Sequence, residues 1–268
     1  MRKPVSHTPP WVMPLAVLGG VAVVVVAFLA IRWATTPPPP KISASAASLV
    51  ITTITSMPAT ELEQVGLGSA TNSIKSVTGP ALIGASGKPE VLYVGAEYCP
   101  YCAFERWPMI IALSRFGTFS GLQTTTSSSI DVFPNTPTFT FRSATFTSQY
   151  IDFQSVETTD RDQNPLQAPT ADQQALVTKY DSGGIPFVDF GKQYVFAGAT
   201  HLPDVLAGMT WQQVTDLLQS PTSEQGKAIL GSANLITAAV CRLSGQQPAA
   251  VCSGSAIQAI EGRLGTGR

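Results

Sequence analysis

The sequence predicts an α/β domain with an inserted β-hairpin/helix region and extra C-terminal helices, preceded by one transmembrane helix. Three observations carry that prediction. Val12 to Ile31 is an uncharged run of 20 residues, rich in Val, Leu and Ala and flanked by Trp11 and Trp33. Val91 to Ala96 is a continuous apolar, β-prone run, the pattern of a strand buried on both faces. Directly after it, Cys99-Pro100-Tyr101-Cys102 opens a helix-capable run that reaches Phe116. A net charge of −1 with 12% charged residues offers no basic patch, so no nucleic acid is expected as a partner.

In chain order, Val12 to Ile31 as a helix would reach about 30 Å, the thickness of a bilayer core. A cleavable signal peptide is the competing reading, but its apolar core would be about 7–15 residues. The run here is longer, and Arg32, Trp33 and Pro37 to Pro40 follow it, which favours an uncleaved anchor. Arg2 and Lys3 before the span balance Arg32 and Lys41 after it, so basic residues do not decide orientation. The short N-terminal tail favours the N-terminus inside. The resulting organisation is a cytoplasmic tail over 1–10, a membrane anchor over 11–33 and a Pro-rich linker over 34–44. A domain over 45–263 follows, with an insertion at about 131–180.

Ala44 to Ser56 can form a helix that Met57-Pro58 ends. Thr60 and Glu63 have the spacing of a helix-start capping box. Gly66 to Pro89 reads as loop with short extended pieces. Pro108 should kink the helix that carries the second cysteine. Leu122 to Ser128 is expected as a second strand. Thr138-Phe139-Thr140-Phe141 and Ala144 to Phe153 alternate polar and aromatic residues, the signature of a hairpin. Its aromatic residues read either as core or as an apolar wall near Cys99. Thr170 to Gln173 starts a helix to about Tyr180. Ile185 to Phe190 and Gln193 to Ala197 are strands joined at Gly191-Lys192. Helices are expected over Thr210 to Leu218 and within Glu224 to Cys241.

The chemistry lies in the thiols. A cysteine at a helix N-terminus is placed where free N–H groups and the helix dipole stabilise a thiolate. A second cysteine one turn on can attack a mixed disulfide. Cys99 is therefore the expected exposed nucleophile and Cys102 the buried resolving thiol. Zinc would need about four ligands. Cys241 and Cys252 do not form a knuckle, and the histidines are only His7 and His201, so no metal and no cofactor are expected. Glu97 reads as a proton acceptor or as a solvated loop residue, with Tyr98 and Tyr101 shaping the rim. Trp107 reads as packing, and His201 as a loop or capping residue. A bond between Cys241 and Cys252 would contribute about 2–3 kcal/mol and would persist outside the cytoplasm. Two reduced, buried cysteines in a cytosolic domain is the competing reading.

The order of elements resembles the thioredoxin superfamily. A closer resemblance is to the DUF929 family of membrane-anchored thioredoxin-like proteins. It is carried by Val91 through Ala103, then Glu105-Arg106-Trp107, Ser114-Arg115-Phe116-Gly117, Pro134 to Thr138 and Gly184-Ile185-Pro186-Phe187. It covers roughly residues 45–262. The resemblance implies a thioredoxin-like fold and a cis-proline at Ile185-Pro186 that presents backbone to a bound peptide. The Cys99/Cys102 pair, the anchor and the Cys241/Cys252 pair together predict a thiol–disulfide oxidoreductase acting on exported protein thiols and disulfides, and family analogy adds a membrane redox partner. The Pro100-Tyr101 dipeptide is of glutaredoxin type. Many thioredoxins carry a buried acid six residues before the first cysteine, where this chain has Tyr93. The reading is a single-pass membrane protein with its main domain outside the cytoplasm. The alternative is a non-catalytic binding or scaffolding module at the cell surface.

Overall fold

The computed structural model describes residues 12–35, 39–71 and 73–265. The expected tail over 1–10, Trp11 and Pro37–Pro38 lie outside the described residues. The chain divides into two compact units, Met1–Pro38 and Pro39–Arg268. The first contains α1 (Val12–Thr35), a continuous helix of 24 residues. Leu15, Val17, Leu18, Val23, Phe28 and Leu29 along it are all exposed. Among the described residues, no helix is long and apolar enough to cross a membrane. Part of the span on which the anchor expectation rests, including the side chains of Arg32 and Trp33, falls outside the described residues.

The second unit starts with α2 (Ala44–Thr55), whose first turn is capped by the Ser43 hydroxyl accepting from the Ala46 N–H at 3.2 Å. α3 (Ala59–Val65) follows, with Pro58 rather than Thr60 as its cap. The Glu63 carboxylate, expected to close a local box, instead accepts from the Ala256 N–H at 2.9 Å and from the Ser255 hydroxyl. It thus satisfies the start of a helix near the C-terminus, and those bonds hold its carboxyl below the usual range.

The sheet is built from β1 (Lys75–Ser76), β2 (Glu90–Gly95), β7 (Asp152–Glu157), β8 (Phe187–Phe190) and β9 (Tyr194–Ala197), in the order β1-β9-β8-β2-β7. β2 runs parallel to β7 and antiparallel to β8. Between β2 and β7 lie α4 (Pro100–Leu113) and two small sheets, β3 (Gly117–Ser120) with β6 (Thr145–Ser148) and β4 (Gln123–Thr126) with β5 (Pro137–Thr140). α5 (Ala171–Asp181) connects β7 to β8, and its Thr170 and Gln173 form the capping box that their spacing predicts. The β8–β9 turn places Gly191 and Lys192 at φ of 65° and 56°. α6 (Trp211–Leu218), α7 (Glu224–Leu243), α8 (Ala249–Cys252) and α9 (Ser255–Glu261) complete the unit.

Every residue of β2 is buried, Glu90 included, and from Val91 on the run is apolar, as burial on both faces requires. Val91 and Tyr93 face one core with Phe104, Ile110, Val188, Phe190 and much of α7. Leu92 and Val94 face a smaller core with Leu176, Val177, Phe187 and Val195. Each large apolar side chain buried this way stabilises the fold by about 1.5–3 kcal/mol.

One expectation is corrected. Thr138–Phe141 and Ala144–Phe153 do not pair with each other: β5 pairs with β4, β6 with β3, and Asp152–Glu157 joins the main sheet. The strand expected over Leu122–Ser128 is present as β4, which pairs with β5 rather than joining the five-stranded sheet. Alternating residues mark a strand but not its partner, and here the apolar faces of neighbouring strands are satisfied by different surfaces. Phe141, Phe146 and Phe153 converge on Phe119 with ring centroids 4.9–6.0 Å apart and pack in or against the core, whereas Phe133 packs on Tyr101 beside the cysteines. α4 continues past Pro108 without ending there, and its residues from Cys102 onward are buried.

Candidate active site

Cys99 is the N-cap of α4, in extended conformation at φ −73° and ψ 121°, and Pro100 occupies the first turn. Pro fits there because its missing N–H would have had no intrahelical partner. The Cys99 sulfur accepts the Cys102 N–H at 3.3 Å. Both are free thiols, whereas Cys241 and Cys252 form a disulfide.

The two thiols are unequal. A hydrogen bond from the Cys102 thiol, then the Cys102 N–H and the nearby Arg106 charge, outweigh burial and hold the Cys99 thiol below its usual pKa. Burial foremost pushes the Cys102 thiol well above its usual value. This is the asymmetry a nucleophile and a resolving thiol require. Cys99 is 6% exposed and Cys102 0%, so Cys99 is less open than its place at a helix start predicts. Its sulfur turns inward to cap the helix. The Ser128 N–H donates to the Tyr98 carbonyl at 2.9 Å, fixing the 127–136 loop beside the site.

That loop forms an apolar rim. Ile130 and Val132 are 57% and 71% exposed. Phe133 meets Tyr101 edge-on at 6.2 Å. Tyr98 is half-buried, and burial and the Cys99 charge push its hydroxyl pKa up. Cavities of about 430 Å³ between α2 and the β3–β4 connection, and of about 370 Å³ against α5, include neither thiol.

Ile185–Pro186 is cis and immediately precedes β8. Because Phe187 pairs with Val94, Pro186 lies at the sheet end from which the Cys99 loop departs. Glu97 is buried rather than solvated, and its Oε1 accepts from the Thr140 hydroxyl at 2.6 Å. Trp107 packs as expected, fully buried with Nε1 donating to the Pro137 carbonyl at 2.9 Å. His201 lies over Phe104 with centroids 5.7 Å apart, and its Nδ1 meets the Leu202 carbonyl. No cluster that could hold a metal ion occurs among the described residues.

Sequence reasoning missed the charges behind the thiols. Arg106 and Glu157 are fully buried and joined at 2.8 and 2.6 Å. Glu105 is also fully buried: its Oε2 accepts from the Thr200 N–H and hydroxyl at 2.8 and 2.9 Å, and burial pushes its pKa to about 7. The available signal was Glu105-Arg106 inside an otherwise apolar helix. A family model, DUF929, described as a domain of unknown function, matches residues 79–242. No curated protein and no solved structure matches the chain.

Proposed function

The chain belongs to the DUF929 family, and from the chemistry of its own site we propose a membrane-anchored, extracytoplasmic thiol–disulfide oxidoreductase of thioredoxin-like fold acting on exported proteins. One observation carries the reading: two free thiols at a helix start, the outer one held toward thiolate and the inner one toward thiol. Further support for the fold comes from β2–α4 leading to a parallel β7, then α5 and an antiparallel β8–β9 pair. Anchoring draws support from the uncharged run over Val12–Ile31 and from the continuous helix through it. The Cys241–Cys252 disulfide supports an oxidising compartment.

In the reducing direction, the Cys99 thiolate attacks one sulfur of a substrate disulfide. The substrate S–S bond breaks, and its electron pair leaves on a substrate thiolate that takes a proton from solvent. Cys102, deprotonated, then attacks Cys99, forming the Cys99–Cys102 disulfide and releasing the second substrate thiolate. Two electrons pass to the substrate, and a dithiol partner must return them. The reverse sequence oxidises a substrate dithiol and needs a disulfide or quinone-class acceptor. Backbone beside Ile185–Pro186 and the Tyr98–Tyr101 rim are the surfaces offered to the substrate chain.

The low exposure of Cys99 favours a second reading, a binding module without turnover. The two separate in an insulin-reduction or thiol-oxidation assay of the full chain in detergent. Cys99→Ser should abolish exchange entirely; equal rates in wild type and variant would leave the binding module.

A further inference from the structure

A buried ion pair is costly to desolvate, and apolar side chains of the same volume would pack as well or better. Arg106 and Glu157 are such a pair, and their position indicates their use. Arg106 stands four residues after Cys102 on the same face of α4. Glu157 ends β7 and pairs with Gly95, two residues before Glu97 and the loop to Cys99. The pair therefore ties α4 to the sheet end that launches the thiol loop.

Ala96 is the node between them. Its carbonyl accepts from Arg106 Nη2 at 2.8 Å and from the Cys99 N–H at 3.4 Å. Beyond these bonds, Arg106 Nη1 and the Tyr93 hydroxyl are buried without hydrogen-bond partners. The guanidinium lies 5.8 Å from the Tyr93 ring. The Tyr93 hydroxyl occupies the space a side chain at Gly95 would fill, which is why position 95 must be glycine. Two buried donors close to Gly95 and Ala96 thus lack hydrogen-bond partners.

We infer that Arg106 is a positioning residue for the disulfide exchange. It holds the Ala96 node and supplies the positive charge that stabilises the thiolate of the Cys99–Cys102 pair. Glu157 sets how much of that charge the sulfurs feel. The role rests on the exchange reading above. The Arg106 charge acts on both sulfurs in the thiolate direction. The other ionisable groups around the pair are Tyr98, Glu97 on Thr140, Glu105 on Thr200 and Asp131 in the rim loop. Tyr93 also lies by the pair, His201 lies over Phe104, and the Arg161 guanidinium donates to the Ser127 carbonyl and to Asn135 at the edge of the rim loop.

The test is the pH profile of Cys99 alkylation by iodoacetamide in the reduced full chain in detergent, read by peptide mass. Glu157→Gln leaves the positive charge unopposed and should lower the midpoint. The Arg106→Gln/Glu157→Gln double variant removes both charges and should raise it by about one pH unit, so that alkylation below the midpoint slows about tenfold. Shifts of opposite sign are not produced by loosened packing. A folded double variant with an unmoved midpoint, or shifts of the same sign in both variants, overturns the inference. The double variant contains no unpaired buried charge, so it decides alone if Glu157→Gln does not fold. Absence of exchange between the wild-type chain and oxidised glutathione would instead overturn the exchange reading. Opposite midpoint shifts would then still support the action of Arg106 on the sulfurs.

Discussion

α4 and α7 pack against each other, both are almost wholly buried, and each carries one member of a cysteine pair. Cys102 sits in the first turn of α4, and Cys241 sits in the last turn of α7. The N-terminal end of a helix favours negative charge and the C-terminal end disfavours it. A thiolate at Cys99, the N-cap just ahead of Cys102, is therefore favoured, and none is favoured at Cys241. The surroundings follow the same division. Behind the α4 thiols lie Glu105, Arg106 and Glu157, all fully buried. Around Cys241 the core is Ala238, Ala239, Val240 and Leu243, and the sulfur is closed by a bond to Cys252. One region retains buried polar groups beside two free thiols; the other uses the same element as a covalent staple.

The largest effect that would sharpen this contrast is expected at Glu105. Burial raises its carboxyl from 4.5 to about 7, so the folded protein binds a proton there that the unfolded chain has released. The contribution to stability is present below about 4.5 and is lost as pH rises through 7. That difference corresponds to a loss on the order of 3 kcal/mol between the two limits. In Glu105→Gln this slope should disappear, while any constant offset reports only the amide's own hydrogen bonds. Denaturant melts from pH 4 to 8 check it. Parallel pH profiles in wild type and variant would show that Glu105 stays ionised in the fold.

On the α7 side, the corresponding change is removal of the staple. The disulfide spans a sequence separation of 11. A Cys241→Ala/Cys252→Ala variant should lose about 2–3 kcal/mol of stability through the freed loop. Its Cys99 alkylation profile should not change, because the disulfide joins α7 to α8 while the free thiols sit at the start of α4. Non-reducing peptide mapping of the wild type should recover Cys241 and Cys252 in one linked fragment. A double variant with altered Cys99 reactivity would join regions that the comparison separates.

How far the sequence showed these regions differs between them. Cys99-Pro100-Tyr101-Cys102 at a strand-to-helix junction and the Cys241/Cys252 pairing were legible because each is a local pattern: a cap, a spacing, a short loop. β2 was legible because a strand buried on both faces is apolar, here from Val91 on. The partners of β4, β5 and β6 were not, since alternation gives a face and not a neighbour. Glu63 was misread for a similar reason: the local box was available, but the N-terminus of α9 claimed the carboxylate. The Arg106–Glu157 pair joins positions 51 residues apart, and only the parallel β2–β7 pairing brings them together. Glu157 by itself is one acidic residue at the end of an amphipathic run.

The smallest predicted effect compares the two helix starts directly. Ser223 caps α7: its hydroxyl oxygen accepts from the Gly226 N–H at 2.9 Å and donates back to the Leu217 carbonyl at 2.7 Å. Cys99 caps α4 through sulfur, a weaker acceptor. Ser223→Ala should cost about 1 kcal/mol, the usual loss for a serine cap, and leave thiol chemistry unchanged. Cys99→Ser should do the opposite, because serine is a good cap: stability stays within about 0.5 kcal/mol of wild type while exchange is abolished. Thermal melts and the exchange assay on both variants check the pair. Only if position 99 was kept as cysteine for its chemistry do stability and activity separate in this crossed way. A large stability loss in Cys99→Ser would mean that the sulfur is there for packing.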